Sequence, residues 1–289
     1  ESCVNNDTII HCSNRDLDIS IQAMGLCGET VEWFLNSEGT LQITGEGPMV
    51  STCQFTSDSR TDVTCSWYGL GTRIKEVVID EGVTSISRNA FTDCGRIISI
   101  EIPKSIKVIE SRAFYFCTNL TSVTFPNAEI ELEDEVFLLC TKLATVTIPY
   151  GLTKIGVRAF SNCGKITTIS LPESVTSIGD EAFYGCEGLN QVELPDSLET
   201  IGERAFAQSA LESLHIPKGV KVMERTFDGC DTLKEITVDS ENCTFFAADG
   251  VLYNKDTMTL VLAPHRYATD HLIVPEGVVA VAAEALANC

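Results

Sequence analysis

The stretch ISLPESVTSIGDEAFYGCEGL, Ile169 to Leu189, decides the fold, because its pattern recurs along most of the chain. Its Phe183 belongs to the series Phe91, Phe114, Phe137, Phe160, Phe183 and Phe206, each 23 positions after the last, and Phe227 follows after 21. Three residues beyond the phenylalanines come Cys94, Cys117, Cys140, Cys163 and Cys186, then Cys230. Pro103, Pro126, Pro149, Pro172, Pro195 and Pro217 keep step. Pro275, Leu286 and Cys289 reproduce the offsets once more, with Leu in the aromatic slot. A fixed period of this length over so many positions means stacked repeats, and that outweighs the two-domain prior of a 289-residue chain.

Each unit reads the same way. In Leu120, Val123 and Phe125 the apolar residues alternate with Ser122 and Thr124, the period-two pattern of a half-buried strand. Pro126 ends the strand, since it has no N–H for a ladder. A second apolar pair follows the proline, as in Val175 and Ile178 or Leu198 and Ile201. A turn comes next, often with glycine (Gly156, Gly179, Gly202), and then the Ala-Phe segment and the Cys. One such unit cannot bury its apolar side alone; rungs stacked about 4.8 Å apart share a continuous core. The expected fold is a repeat solenoid, mainly β with short turns or 3-10 segments, of about 23 residues per rung. Seven phenylalanines and Leu286 count eight rungs.

The departures are informative. Glu129 occupies a slot that carries Val, Leu or Ile elsewhere, so a local shift is expected to bring Ile130 into the core. Between Val238 and Val274 lies an insertion, at about 239–272, in which DGVLYNKDTMTLVLAP (Asp249 to Pro264) reads as a β-hairpin around an Asn-Lys-Asp turn. Residues 1–73 stand outside the repeat. Within them CGETVEWFLNSEGTLQITGEG (Cys27 to Gly47) has two alternating strands around an Asn-Ser-Glu-Gly loop. It is the candidate N-terminal cap for a solenoid spanning 74–289, because an open first rung would leave a sheet edge and core in water. The last rung reaches Cys289 midway, so continuation or a further cap is expected there.

The 23-residue rung, the stretch from Cys27 to Gly47 and the inserted DGVLYNKD hairpin together resemble the BspA-like leucine-rich repeat family, over roughly residues 25–289. The resemblance implies an extracellular or cell-surface protein of mucosal anaerobic bacteria or protozoa. It further implies adhesion, including binding to host matrix proteins such as fibronectin and fibrinogen. The family supplies no catalytic residues and no shared ligand motif to carry over.

Composition narrows the function classes. Hydrophobic residues make up 44% of the chain and charged ones 21%, enough for a core and against disorder. No run approaches the ~20 apolar residues of a membrane span; the longest, Val278 to Ala287, is interrupted by Glu284. The chain opens at Glu1 without a signal peptide's basic and apolar regions, so any secretion signal or anchor is expected to have been removed or to lie outside it. Twenty Lys and Arg against 41 acidic residues give a net charge of −21, which repels nucleic acid. The acidity would attract a basic partner, or serve only to keep a large surface soluble.

Stacked cysteines would point their Cβ vectors in parallel, a poor geometry for bridging. The repeat cysteines are therefore expected to be a column of buried thiols rather than disulfides or a metal ladder. Cys3 with Cys12, and Cys53 with Cys65, are candidate disulfides of the N-terminal region. Asn6, Asn119 and Asn242 head N-x-S/T sequons and are candidate glycosylation sites. No H-E-x-x-H, G-x-S-x-G, P-loop or EF-hand motif is present, and His265 and His271, six apart, have no third ligand near them in sequence. The run Glu129 to Glu135 reads as a solvated acidic edge. The chain is read as a non-enzyme with no cofactor and no metal.

What the sequence defines is a surface. The outward strand positions, expected to form a concave sheet, are Ser99 and Glu101, Ser122 and Thr124, Thr145 and Thr147, Thr168 and Ser170, Gln191 and Glu193, Ser213 and His215, Glu235 and Thr237. Solenoid sheets commonly serve as extended binding faces. The first expectation is thus contact with a protein partner, a host matrix or surface glycoprotein, across this face or the inserted hairpin. The alternatives are a self-associating surface protein and a carbohydrate-binding module, the last disfavoured by the scarcity of outward aromatic side chains. The oligomeric state is left open.

Overall fold

The structure, a computed structural model, describes residues 21–50, 67, 69–126, 129–223, 225–264 and 271–286. Most rungs contribute two short strands, one to each of two ribbons. The first ribbon holds Glu76–Ile79, Ser99–Glu101, Ser122–Thr124, Thr145–Val146, Thr168–Ser170, Gln191–Glu193, Ser213–Ile216 and Glu235–Val238. The second holds Gly47–Pro48, Val83–Ile86, Val108–Ile109, Glu131–Leu132, Lys154–Ile155, Ser177–Ile178, Thr200–Ile201 and Val222–Met223. Pairing along both is parallel and keeps the repeat register: Ile100 lies opposite Val123, Ile169 opposite Val192, and Ile178 opposite Ile201. The prolines between the ribbons do more than end a strand. The carbonyls of Pro103, Pro172 and Pro195 accept from the N–H groups of Ile106, Val175 and Leu198 at 3.2, 3.0 and 3.0 Å, turning the chain toward the second strand.

The third side of each rung is the Ala-Phe turn, and here too backbone joins backbone. The N–H groups of Phe91, Phe114, Phe137, Phe160 and Phe183 donate to the carbonyls of Ala113, Val136, Ala159, Ala182 and Ala205 at 2.7–2.9 Å. Two positions per turn are left-handed: Arg112 and Phe116, Glu135 and Leu139, Arg158 and Asn162 all have φ of 52–64°. Left-handed backbone disfavours a side chain. The second slot is accordingly glycine at Gly185 and Gly229. The inter-rung ladder holds the strained residues in place.

Inside runs one column of rings. Phe91 to Phe227 stack with centroids 5.1–5.7 Å apart and planes within 15° of parallel, and all seven are buried. Trp67 heads the column, 5.6 Å from Phe91, its indole N–H donating to the Ala90 carbonyl at 2.7 Å. At the Glu129 rung the expected shift occurs: Glu129 is exposed and Ile130 is buried.

The N-terminal region converts antiparallel pairing into parallel pairing. Val31–Asn36 pairs antiparallel with Thr40–Gly45, which in turn pairs parallel with Glu76–Ile79. The loop between the first two is held by the Asn36 side-chain oxygen, which accepts from the N–H groups of Glu38, Gly39 and Thr40. A further strand that the sequence pattern does not announce, Ile21–Leu26, adds antiparallel to Val31–Asn36. The insertion also has one strand more than the hairpin expected. Phe245–Ala248, Val251–Asn254 and Thr259–Leu262 form an antiparallel meander, its second turn closed by the Asn254 side chain. Ala280–Val281 then pairs parallel with Thr259–Leu262.

Cutting a ring from the middle of the column removes both its buried area and its two stacking contacts. Phe160→Ala should lower stability by about 3–5 kcal/mol, read as a drop in the urea midpoint with an unchanged slope. A cost below about 1 kcal/mol would mean that the ring is not packed between its neighbours.

Candidate binding face

Register places the outward residues of the first ribbon side by side. Ser122 lies between Ser99 and Thr145, and Glu101 lies beside Thr124. Thr168 lies beside Gln191 and Ser170 beside Glu193, with the Ser170 hydroxyl donating to the Glu193 carboxylate at 3.2 Å. Ser213 lies beside Glu235 and His215 beside Thr237, the imidazole Nδ1 and the threonine hydroxyl 2.9 Å apart. All these residues are exposed except the half-buried Ser122, and Thr147 is exposed just past the strand end at Val146. Short hydroxyl side chains both donate and accept, and they lose little rotamer freedom on contact. The face is a row of such groups with carboxylates at intervals, fixed by the backbone ladder beneath it.

The repeat cysteines form an interior column. The thiols of Cys117, Cys140, Cys163 and Cys186 donate to the carbonyls of Phe91, Phe114, Phe137 and Phe160 at 3.1–3.2 Å, one rung back in each case. Where Ser209 replaces Cys, its hydroxyl lies 3.3 Å from the Cys230 sulfur, so the slot stays polar and small. Burial pushes the Cys140 and Cys186 thiols up to about 12, and Cys117 and Cys163 are raised by burial and by their neighbouring thiols. Among the described residues the cysteines are buried except for Cys243, and Cys117, Cys140, Cys163, Cys186 and Cys230 are thiols. Cys3, Cys12, Cys53 and Cys65, together with Asn6 and His265, lie outside the described residues.

The remaining sequons are occupied by structure. The Asn119 amide donates to the Gly95 carbonyl and accepts from Lys142 Nζ at 2.6 Å. Asn242, expected as a glycan acceptor, is 1% exposed. Its amide nitrogen donates to the carbonyls of Pro217 and Val220 at 2.8 and 3.1 Å. Its oxygen accepts from the N–H groups of Thr244 and Phe245, both at 2.8 Å. It locks the start of the insertion to the rung below, and a glycan there would require that locking to be undone.

Two electrostatic features were not anticipated. Arg112, Glu135, Arg158, Glu181 and Arg204 occupy one repeat slot with alternating sign, and each pairs with the next: Arg112 with Glu135, Glu135 with Arg158 at 3.4 Å, Arg158 with Glu181 at 2.7 Å, and Glu181 with Arg204 at 3.7 Å. Partly exposed pairs contribute little each, about 0–1 kcal/mol. Alternation at one position does, however, favour this order of rungs over a slipped one. The signal was present in the sequence, at the same 23-residue offset as the rings. The acidic edge, too, is more than solvated surface. Glu133 accepts from the Ser111 N–H and hydroxyl, both at 2.8 Å, Asp134 from the Val157 N–H at 2.7 Å, Asp180 from the Glu203 N–H at 2.8 Å, and Glu110 from the Arg88 N–H at 2.9 Å. These carboxylates cap turns in adjacent rungs, which accounts for part of the acid excess.

Among the described residues no group of three or more His, Cys, Asp or Glu could hold a metal, and no helix is long and apolar enough to cross a membrane.

The thiol column gives a pH signature. The native chain holds the Cys140 and Cys186 protons up to about 12, whereas an exposed thiol in the unfolded chain releases its proton near 9.0. Between these values the native state binds more protons, so this stability is complete below about pH 9 and falls as pH rises. The urea midpoint should therefore decline from about pH 9 upward, and less steeply in a Cys140→Ser, Cys186→Ser variant. Equal slopes would show that these thiols titrate as if exposed.

With this geometry in view, comparison with known proteins is specific. The family model for the BspA type leucine-rich repeat region matches residues 66–175 and 153–258, in six copies. A leucine-rich cell surface protein of Faecalibacterium prausnitzii A2-165 is 27% identical, with a TM-score of 0.65 over 87% of this chain and 64% of that one. The pneumococcal vaccine antigen PcpA shares the fold at 22% identity and a TM-score of 0.52, over 92% of this chain and 62% of that one. The chain thus spans less than two-thirds of the length of either. No curated protein matches it. The matched repeats, the ring column and the two parallel ribbons lead to one conclusion: the chain belongs to the BspA-type leucine-rich repeat family.

Proposed function

We propose that this chain is an extracellular or cell-surface protein-binding scaffold of adhesin type, contacting a host matrix or surface glycoprotein through the outward face of its first ribbon. The observation that carries the reading is the row of outward Ser and Thr from Ser99 to Ser213, held in register within the paired blocks that start at Ser99, Thr168 and Ser213 and interrupted by Glu101, Gln191 and Glu193. Membership in a leucine-rich repeat family and likeness to a bacterial cell surface protein support it. The row is rigid before contact, so association costs little ordering of side chains. Excess negative charge speeds encounter with basic partners and sets the salt dependence of the on-rate. The role proposed is binding, without cofactor or catalysis.

A second reading, self-association, draws on one observation. In the terminal rung the core-slot residues Val274, Val281 and Leu286 are 46%, 53% and 41% exposed, although their counterparts Leu171, Ile178 and Phe183 are buried. A second copy covering this face would bury them.

The two readings separate in solution. Replacing Thr147, Ser170 and Glu193 together by Arg should weaken binding to immobilised fibronectin or fibrinogen at least tenfold, about 1.4 kcal/mol, with an unchanged circular dichroism spectrum. Undiminished affinity in that variant rules out the ribbon face. Light scattering over a concentration series should show a constant monomer mass if binding to a partner is the function. Growth of mass with concentration, abolished by Val281→Lys, supports self-association instead.

A further inference from the structure

The outward face of the first ribbon does not stop at Glu76–Ile79; it runs on into the N-terminal sheet. Thr40–Gly45 pairs parallel with Glu76–Ile79, and Val31–Asn36 and then Ile21–Leu26 add to it antiparallel. Register sets the two faces of this sheet. Trp33 lies opposite Ile43 and Leu41 opposite Val77, all four buried in the core. The next residue along a strand points the other way. Met24, Phe34, Gln42 and Val78, each opposite the one before, therefore form one row across four strands on the side away from the core. Val78 occupies the slot that Glu101 fills in the neighbouring rung, so the row leads onto the proposed binding face.

What changes along the face is its chemistry. From Ser99 to Thr237 every outward ribbon position is polar, whereas three of the four residues in this row are apolar. Met24 and Val78 are 39% and 37% exposed, and Phe34 is half-buried without packing against the core cluster. The Gln42 amide between them donates to the Asp80 carboxylate. Single apolar residues on a surface are ordinary, but contiguous ones mark contact surfaces, and Phe and Met are enriched at interface centres. Carboxylates stand at both ends of the row: Glu32 and Asp80 at one, Glu76 at the other. Of the cations in this region, Arg73 and Lys75 precede the strand Glu76–Ile79, and Arg73 donates to the Gln22 side chain.

We propose that this row anchors the binding face, seating an extended partner segment that carries one large apolar side chain with a Lys or Arg two positions to either side. Side chains two positions apart in an extended chain share a face and lie about 7 Å apart. The same step separates Phe34 from Glu32, and Val78 from Glu76 and Asp80. The inference rests on the ribbon reading and names what the partner must carry. It also supplies the apolar anchor that the hydroxyl row lacks.

The test uses the full chain and the peptide Gly-Arg-Ser-Phe-Ser-Arg-Gly with a 4-fluorophenylalanine ring, followed by ¹⁹F NMR. Salt is held at about 0.1 M, where charges more than about 10 Å away are largely screened. The expected result is saturable binding that the unlabelled peptide displaces at least tenfold more effectively than its Phe→Ser or its Arg→Gln form. Phe34→Arg and Met24→Lys should each weaken binding at least fivefold. Tyr150→Arg, the same gain of charge on a 70% exposed residue in another rung, should leave it unchanged. Met24 is exposed on an edge strand, so its variant serves where Phe34→Arg does not fold, as circular dichroism will tell. The peptide reports on the anchor alone, and the triple ribbon variant reports on the main reading with matrix protein, so each can fail without the other. Absence of saturable binding, equal displacement by either control peptide, undiminished binding by a folded variant, or an equal loss in Tyr150→Arg overturns the proposal. So does a scattering mass that grows with concentration and returns to the monomer in Phe34→Arg, which assigns the row to a second copy.

Discussion

Parallel, in-register stacking of one aromatic ring on the next is the constraint on which the remaining structure depends. Strand side chains alternate between faces, so a slip of one residue would turn the core outward and the hydroxyl row inward. The rings prevent this, because Phe91 to Phe227 can stack only if every rung keeps its place. The interior thiols reinforce the same register, each reaching back to the phenylalanine carbonyl of the preceding rung. The exposed face is thus a by-product of core register, and its chemistry can vary freely while the core cannot.

Charge has two uses in this molecule. Some carboxylates close turns, as Glu133 and Asp134 do, and some alternate with arginine along the turn side. The net charge of −21 is therefore partly structural and only partly a property available to a partner. Glu101, Glu193 and Glu235, on the first ribbon, are the carboxylates that a basic partner would meet first.

Much of this was legible in the sequence because repetition amplifies weak signals. A single Phe says little; six at one spacing fix the rung, the ribbons and the buried cysteine slot. Ile130 was legible as a replacement for Glu129 because its neighbours in the repeat defined what the slot needed. Legibility failed where repetition failed. Trp67 heads the column 24 residues before Phe91 and as a different ring type, so the period did not reach it. Ile21–Leu26 lacks a clean alternation because it lies at an edge with much of its surface in water. Phe245–Ala248 is read as a strand only through its partner Val251–Asn254. The sequon at Asn242 was legible, but the hydrogen bonds that use both ends of its amide were not, because local sequence does not show them.

The register is tested most directly by amide hydrogen exchange at the turn side, where a less ordered loop would exchange quickly. If rungs stack as described, the N–H groups of Phe114, Phe137, Phe160 and Phe183, each bonded to the next rung, exchange only by large-scale unfolding and share one slow rate. Exchange of these amides orders of magnitude faster than the strand amides of Ile169 and Leu214 would contradict the stacked interior and the exposed face that depends on it.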